Sequence, residues 1–406
     1  MRMTLSEQLL KWERHLLALL IYVLPVHEAG KNILWGILVS VWIWRCLVEK
    51  KWPHVGGMDL RICLWLAAGM WSCWFAIEPQ AGWKGLWDMI RAAMLFWIVG
   101  SHNRSEEIRH VIIRHLVLST ALASMIAIFQ CVWSLQVLKT YPPNVHVELR
   151  SVGHFNQSGI YLAMGWLVAL TASSERRVFV RPWIAKVTAA LIGLALLGSM
   201  ARSAIAVAGF ATVIILWKSR PPRWVVRLLI LGVVVMVAGF SASSTIRNRV
   251  LFRGSLSNRI AFWQSALDMA ESRPWTGVGL NNFRNLHLQT IEPWNYGTID
   301  HAHNLYFGAL GQMGVPGAIA LLALISSSGA AIWKQHPTPN GGDAIVFCTA
   351  GGVWLVITLV GLSNTTLHHE MAMFFFMVMG LIPGTDARVM NAMEPSQNKS
   401  GENTLK

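Results

Sequence analysis

The sequence Asp300-His301-Ala302-His303-Asn304-Leu305 lies where the longest polar segment of the chain meets a long apolar run. The polar segment covers residues 243–302, and the apolar run covers residues 303–332. Because a polar group in a bilayer is costly without a partner, polar side chains at such a boundary indicate a binding or catalytic site. An excess of positive charge in this segment favours an anionic ligand. Six arginines outnumber four acidic residues there, namely Arg247, Arg249, Arg253, Arg259, Arg273 and Arg284 against Asp268, Glu271, Glu292 and Asp300.

The composition is that of a membrane protein. Of the 406 residues, 54% are hydrophobic and 13% are charged, whereas a soluble domain carries about 25% charged residues. The net charge of +14 lies largely in short connectors, where membrane topology explains it better than binding of nucleic acid does. The cysteines lie in or beside apolar segments without zinc-ligand spacing, so they are expected to be small buried hydrophobes. They are Cys46, Cys63, Cys73, Cys131 and Cys348.

Twelve apolar stretches approach the length of about 20 residues that spans a bilayer. The fourth and sixth are short, and the seventh and eighth are separated by a break that depends on one residue, Arg202, so that counts of eleven or ten spans stay open. The expected fold is an all-α polytopic membrane protein with about twelve transmembrane helices. The stretches lie near residues 13–27, 31–48, 60–77, 86–100, 111–136, 158–172, 183–199, 202–217, 224–242, 303–332, 343–362 and 370–384.

The charges between the spans predict their orientation. One alternate set of connectors, which includes Arg45 and Lys50, is rich in basic residues, and the other set, which includes Lys31, is poor in them. The positive-inside rule then places both termini in the cytoplasm and the polar segment in the periplasm. We therefore expect transmembrane helices 1–9 in residues 1–242, one large periplasmic loop with short helices in residues 243–302, transmembrane helices 10–12 in residues 303–386, and a disordered cytoplasmic tail in residues 387–406.

Within the loop, apolar residues recur at helical spacing and predict a helix that lies against the membrane surface. Either Ser257 or Asn258 is a suitable cap, which would place Arg259 at the start of the helix, where free N–H groups favour an anion. The sequence Arg273-Pro274-Trp275 is expected to end the helix, and Gly277-Val278-Gly279 predicts a tight turn. The apolar positions are Ile260, Trp263, Ala266, Leu267 and Ala270.

His303 is the first candidate catalytic residue. An imidazole can accept a proton from a hydroxyl near neutral pH, and His303 lies directly before Asn304 and an apolar helix. In the alternative reading, His301 and His303 are helix-cap or interfacial residues. A His-x-His pair can also bind a metal ion, but no carboxylate cluster accompanies this one, so no metal site is expected.

Two arginines are candidates for binding phosphate. Arg202 lies alone between two apolar runs, and a guanidinium offers a planar fork that suits phosphate; alternatively, it extends from a short turn to the membrane surface. Arg259 could be only a solvated charge. The sequence contains no Asp-x-Asp pair and no P-loop. Cationic side chains would therefore have to stabilise a leaving pyrophosphate.

Five short motifs resemble the O-antigen ligase and polymerase family. The resemblance spans roughly residues 150–320, and the motif at the histidines is its most specific part. The overall length and the short tail are most similar to an O-antigen ligase. The motifs are G-H-F-N-Q-S at residues 153–158, S-x-x-R-S at 199–203, N-R-x-x-x-W at 258–263, S-R-P-W-T-G-V-G-L-N-N-F at 272–283 and H-A-H-N-L-Y at 301–306.

The resemblance implies a GT-C-like helical membrane fold and an inverting, metal-independent glycosyl transfer at the periplasmic face of the bacterial inner membrane. The implied donor is O-polysaccharide on undecaprenyl pyrophosphate, and the implied acceptor is lipid A–core; membrane lipids surround the chain, with no cofactor and no nucleic acid. The essential histidine of the family falls on His303, and its pyrophosphate-binding arginines fall on Arg202 and Arg259. The secondary candidates are His301, Asn304, Asn156 and Gln157.

Two alternatives stay open at this point. An O-antigen polymerase, or a protein O-oligosaccharyltransferase that places glycan on serines, would use a similar donor and a similar loop and would differ in its acceptor. A polytopic transporter or flippase would also fit isolated intramembrane arginines. Against the transporter, the deeper segments show no paired acids and no proton-relay chain, and the polar features cluster in one loop.

Overall fold

The structure, a computed structural model, describes residues 3–52, 56–103, 105–136, 146–149, 151–219, 254–283, 301–335 and 343–382. Within these ranges the chain forms twelve α-helices and no strand, which confirms the predicted all-helical class. The first eight helices are α1 Leu5–Val23, α2 Glu28–Glu49, α3 Asp59–Trp74, α4 Pro79–His102, α5 Glu106–Gln136, α6 Phe155–Ser174, α7 Pro182–Gly198 and α8 Arg202–Ser219. The last four are α9 Gly254–Ser272, α10 Leu305–Trp333, α11 Asp343–Leu355 and α12 His369–Gly380.

Three of these helices, α2, α5 and α10, are long and apolar enough to cross a membrane, and α7, α8, α11 and α12 are apolar but shorter. The chain is therefore a multi-pass membrane protein. The count of about twelve spans stays a prediction, because α9 belongs to the expected loop and the stretch at residues 224–242 lies outside the described residues. The tail at residues 387–406 also lies outside them.

The break between the seventh and eighth apolar stretches is confirmed. A three-residue turn separates the end of α7 at Gly198 from the start of α8 at Arg202. In this turn the Ala201 N–H donates a hydrogen bond to Ser199 Oγ at 3.3 Å. The turn packs against α6, where a Cβ added at Gly159 would lie 2.2 Å from the Cβ of Ala201. Only glycine allows α6 and the turn to approach so closely.

α10 is interrupted about one third along its length. Gly314 has φ 66° and ψ −168°, and Pro316 follows inside the same helix. The helix breaks here because a left-handed residue leaves the helical path and proline supplies no backbone N–H. A stretch that the sequence presents as one span therefore consists of two helical pieces.

The segment after α9 docks into this interruption. The N–H groups of Val278 and Gly279 donate to the carbonyls of Gly311 and Gln312, each at 3.0 Å. Gly277 has φ 62°, and a Cβ there would lie 2.3 Å from the carbonyl carbon of Gln312. The predicted turn is confirmed, and its glycines allow two backbones to lie side by side.

We expect Gly277→Ala to destabilise the protein by more than about 3 kcal/mol, because the added methyl overlaps backbone atoms and alanine is strained at a positive φ. Thermal unfolding of the purified protein in detergent measures this loss. Gly36→Ala is the matched control, since a Cβ at Gly36 meets no atom within 4 Å. Equal unfolding midpoints for the two variants would contradict the docking of this segment on α10.

α9 begins earlier than the sequence indicated. Its first residue is Gly254, so Arg259 lies in the second turn, and the expectation that Ser257 or Asn258 caps the helix is wrong. Serine and asparagine are favoured as caps but are also tolerated within a first turn, so a boundary placed from such residues alone can be wrong by a turn.

The apolar face of α9 is partly buried against the rest of the protein and partly exposed. Ala266 and Ala270 are buried, whereas Ile260 and Leu267 are exposed. The buried part packs against α10, where a Cβ at Gly311 would lie 2.9 Å from the Ala266 carbonyl oxygen. Part of the face therefore packs on α10, because small residues let α9 approach another helix closely. The expectation that α9 lies against the membrane surface stays a prediction.

Buried ionic groups join α1, α2 and α12. Lys31 forms ion pairs with Glu370 and, at 3.0 Å, with Glu28. Arg45 donates from Nε to Glu13 at 2.6 Å. The expectation that Lys31 and Arg45 lie in connectors is therefore wrong, because both lie inside α2. Each of these acids pairs with a base. The pairing residues lie far apart in the chain, so no local pattern reveals them.

Candidate functional site

His303 lies directly before α10 in a left-handed conformation, with φ 46°. Its ring faces Phe262 of α9, with the ring centroids 5.6 Å apart. Its Nδ1 lies 3.4 Å from Oδ1 of Asn364, in the turn between α11 and α12. Because an amide oxygen only accepts hydrogen bonds, this contact places the proton on Nδ1 and leaves the lone pair on Nε2.

The pKa of His303 is lowered to about 4. Burial is the largest cause; the hydrogen bond to Asn364 raises the pKa, and positive charge on His301, Arg259 and His154 lowers it. The imidazole is therefore neutral at pH 7 before a ligand binds, which is the form that can accept a proton.

Asn304 fixes the position of His303 on α10. It caps the helix, because its Oδ1 accepts hydrogen bonds from the backbone N–H groups of Tyr306 at 2.9 Å and Phe307 at 3.0 Å. Its Nδ2 donates to the carbonyl of Leu362 at 2.9 Å. Because both the oxygen and the nitrogen of its side-chain amide bind backbone groups, Asn304 acts as a positioning residue.

An irregular turn at the end of α11 contacts the start of α10, next to His303. α11 continues into the π-helical turn Val356–Val360, and the Gly361 carbonyl that follows accepts a hydrogen bond from Leu305 N–H at 2.8 Å. The hydroxyl of Tyr306 donates to the carbonyl of Thr358 at 3.1 Å. Such π-helical turns are frequent at functional sites. Here the turn connects the histidine segment to the end of α11.

Arg202 and Arg259 come from different helices, and the charge of Arg202 acts on Arg259. Arg202 is exposed at the first residue of α8, and Arg259 is half-buried in α9. Burial lowers the pKa of Arg259, and the positive charge of Arg202 lowers it further. Because Arg259 also acts on His303, the three side chains lie in one region. An anion between the two guanidinium groups would relieve their repulsion.

The start of α6 belongs to the same region. His154 is the N-cap residue but makes no capping hydrogen bond through its side chain, and Glu148 Oε1 accepts the first backbone N–H of the helix at 3.1 Å. Asn156 and Gln157 lie in the first turn of α6, so neither of them is its N-cap residue. The effect of His154 on the pKa of His303 brings this motif close to the catalytic candidate.

His301 connects the site to α12 and α4. Its ring lies 4.9 Å from that of His368, which lies 3.6 Å from that of His369. Nδ1 of His369 lies 3.4 Å from Asp88 Oδ2 in α4. Burial lowers the pKa of His368 well below its usual value. These imidazoles form a second polar group beside His303, on the side of α4 and α12.

Asn364 and His368 are site residues that the sequence analysis missed. They lie in the polar sequence Ser363-Asn364-Thr365-Thr366-Leu367-His368, between two apolar stretches. An ordinary turn between membrane helices has the same composition, so the sequence alone did not indicate that these residues belong to a site. In the part of the chain that the structure describes, no group of three or more His, Cys, Asp or Glu side chains could hold a metal ion.

The fold and the site together define a class: a multi-pass helical membrane protein whose histidine and arginine motifs meet between α6, α8, α9 and α10. Residues 187–322 match the family model described as O-antigen ligase, and this segment contains Arg202, Arg259 and His303. This match confirms the resemblance to the O-antigen ligase family seen in the motifs. The match covers about one third of the chain. No curated protein matches the chain.

Proposed function

We propose that the protein is an O-antigen ligase that transfers polysaccharide from undecaprenyl pyrophosphate to lipid A–core during lipopolysaccharide biosynthesis. One observation carries the proposal: the charge of Arg202 lowers the pKa of Arg259, and the charge of Arg259 lowers the pKa of His303, although the three residues come from different parts of the chain. The family match supports it, because the family implies a lipid-linked polysaccharide as substrate. A location in the bacterial inner membrane, with a periplasmic site and cytoplasmic termini, is part of the proposal.

In the proposed reaction, His303 Nε2 accepts the proton of the acceptor hydroxyl while that oxygen attacks the anomeric carbon of the donor. Arg202 and Arg259 bind the diphosphate and neutralise the charge that develops as the bond between the anomeric carbon and the diphosphate oxygen breaks. This single displacement inverts the anomeric centre. The bound diphosphate raises the pKa of His303, so the base becomes stronger when the donor is present.

A polymerase or a protein O-oligosaccharyltransferase would use the same groups on a different acceptor. The transporter is the weaker alternative, even though buried ionic groups are present. The Lys31–Glu370 and Arg45–Glu13 pairs are at most 3% exposed, so their charges neutralise each other within the protein instead of facing a path for a substrate.

The test is transfer in vitro by the purified protein, from a defined undecaprenyl pyrophosphate donor to purified lipid A–core, with and without EDTA. We expect equal rates, because the guanidinium groups supply the positive charge that a divalent cation would otherwise supply. Elongation of the donor without attachment to lipid A–core would identify a polymerase, and transfer to protein serines the third alternative. A rate lost in EDTA and restored by Mg²⁺ would contradict the metal-independent mechanism.

The pH dependence of the transfer rate should show that the catalytic base is buried and neutral. His303 must be neutral to accept a proton, and its pKa in the free protein is lowered to about 4. We therefore expect kcat/KM to persist as the pH falls through 6.5 and to be lost only near pH 4. The acid limb of kcat should lie at higher pH, because bound diphosphate raises this pKa. Initial rates measure both limbs, and a kcat/KM limb near 6.5 would argue against a buried base.

A further inference from the structure

A cavity of about 90 Å³ lies between α3, α4, α10 and α12, beside the proposed base. His301 and Thr365 line it; His301 precedes His303 by two residues, and Thr365 follows Asn364 directly. None of the described residues of α8 and α9, which carry the two arginines, lines this cavity. Its lining therefore includes chain neighbours of His303 and Asn364 but no described residue of the two helices that carry the arginines.

The cavity wall contains polar groups without a protein partner. Asn281 is held at φ 55°, with its backbone N–H bound to Gln312 Oε1 at 2.8 Å, while its side-chain amide makes no hydrogen bond within the described residues. The same holds for the hydroxyl of Thr365. Nδ1 of His368, a further lining residue, is buried without a partner. A buried polar group is normally satisfied, so Nδ1 of His368 has hydrogen-bonding capacity left for a ligand. The half-buried side chains of Asn281 and Thr365 offer further donors and acceptors in the same wall.

The chemistry of the wall suits a neutral sugar. Amide, hydroxyl and imidazole groups can pair with sugar hydroxyls, and Trp65 supplies an apolar wall. Lysine and arginine are absent from the described lining residues. Asp88 is already engaged by Arg91 at 3.3 Å and by His369 at 3.4 Å. The cavity therefore lacks the cationic donors that recognise phosphate.

We propose that this cavity binds the acceptor sugar that carries the attacking hydroxyl, a neutral hexose of the core oligosaccharide. The assignment rests on the proposed function. A displacement with inversion places the nucleophile and the leaving group on opposite faces of the anomeric carbon. A diphosphate held by Arg202 and Arg259 occupies the side of α8 and α9, so the acceptor must approach from another side, and the cavity lined by His301 and Thr365 has no described lining residue from those two helices.

Two substitutions change the cavity and leave the backbone intact. Asn281→Gly removes the amide, and glycine adopts the left-handed conformation freely. Gly308→Leu fills the cavity from the first turn of α10, since the nearest atoms to a Cβ there lie 3.8 Å away. Lys50→Gly is the control for the first, because Lys50 is also left-handed, with φ 52°, at the end of α2. Gly36→Leu, at an open helical position, is the control for the second.

Steady-state kinetics of purified full-length protein separate the two substrates. With lipid A–core varied at saturating donor, we expect the acceptor KM to rise about tenfold in Asn281→Gly, the loss of one hydrogen bond, and to rise further in Gly308→Leu. The donor KM should stay unchanged, and both controls should match the wild type. A raised donor KM, a fall in kcat alone, or no change would overturn the assignment.

A binding measurement keeps this assignment distinct from the proposed function. Core oligosaccharide released from lipid A–core by mild acid is added to the protein in detergent and followed by saturation-transfer NMR. Binding should be seen with the wild type and both controls and be lost in the two cavity variants. If that pattern holds while the wild type transfers nothing, the proposed function fails, whereas binding of the core sugar in the cavity stands. Equal binding to all variants, or none to the wild type, would overturn the assignment.

Discussion

His303→Asn is expected to reduce polysaccharide transfer by about 10²–10⁴-fold, the contribution of a positioned general base. Asparagine tolerates the left-handed conformation of this position, φ 46°, better than alanine does, so the substitution removes the basic nitrogen without straining the backbone. Abundance in the membrane and the thermal unfolding midpoint should stay near those of the wild type. The rate is measured in vitro with purified donor and lipid A–core.

His15→Asn is the matched control for this substitution. His15 is exposed on α1 and binds only the carbonyl of Lys11 through Nδ1, at 2.7 Å, so its replacement should leave the transfer rate unchanged. Full transfer by His303→Asn would remove His303 from its proposed role. Movement of lipid across the membrane without any transfer would instead favour the transporter.

Arg259→Lys is expected to lower kcat/KM by about 10–100-fold, and Arg259→Ala by about 10²–10³-fold. Lysine retains a positive charge but loses the planar fork that can bind two phosphate oxygens at once. The difference between the two variants therefore separates the geometry of the guanidinium from its charge. Initial rates with varied donor measure both effects.

Arg177→Lys is the control for the arginine prediction. Arg177 lies between α6 and α7, is 65% exposed and forms an ion pair with Glu106 at 2.7 Å, so the change to lysine should leave the rate unaltered. An unaltered rate for Arg259→Lys as well would make Arg259 a surface charge only. The proposed diphosphate site would then lose one of its two arginines.

The features of the fold that depend on neighbouring residues were predictable from the sequence. One arginine between two apolar runs predicted the break before α8, and Arg273-Pro274 predicted the end of α9. A charge or a proline interrupts an apolar helix at its own position, so its effect can be read locally. The two glycines at residues 277 and 279 likewise identified a turn. The start of α9 was misplaced because Ser257 and Asn258 suit both a cap and a first turn.

Features that depend on distant residues were not predictable. Lys31 and Glu370 lie at opposite ends of the sequence, so neither periodicity nor spacing shows that they pair. The interruption of α10 had a local signal in Gly314 and Pro316, but its consequence, the docking of the segment after α9, depends on tertiary packing. Which side chains pair across the helical bundle depends on how the helices are arranged in space.

The candidate site was partly predictable for the same reason. Arg202, Arg259 and His303 lie in short motifs or are isolated charges, so the sequence alone predicted them as site residues. Asn364, which holds Nδ1 of His303, and Asn281, which lines the neighbouring cavity, lie in polar runs that any turn could contain. Their importance follows from the side chains they meet and from the groups left without a partner.

The proposed mechanism requires the guanidinium groups of Arg202 and Arg259 and the imidazole of His303 to enclose one diphosphate. Cryo-electron microscopy of the protein with bound undecaprenyl pyrophosphate would show this arrangement. We expect diphosphate oxygens within about 3 Å of both guanidinium groups, with Nε2 of His303 facing the site of the anomeric carbon. A diphosphate bound elsewhere, or the two arginines on opposite sides of the membrane, would rule out this mechanism.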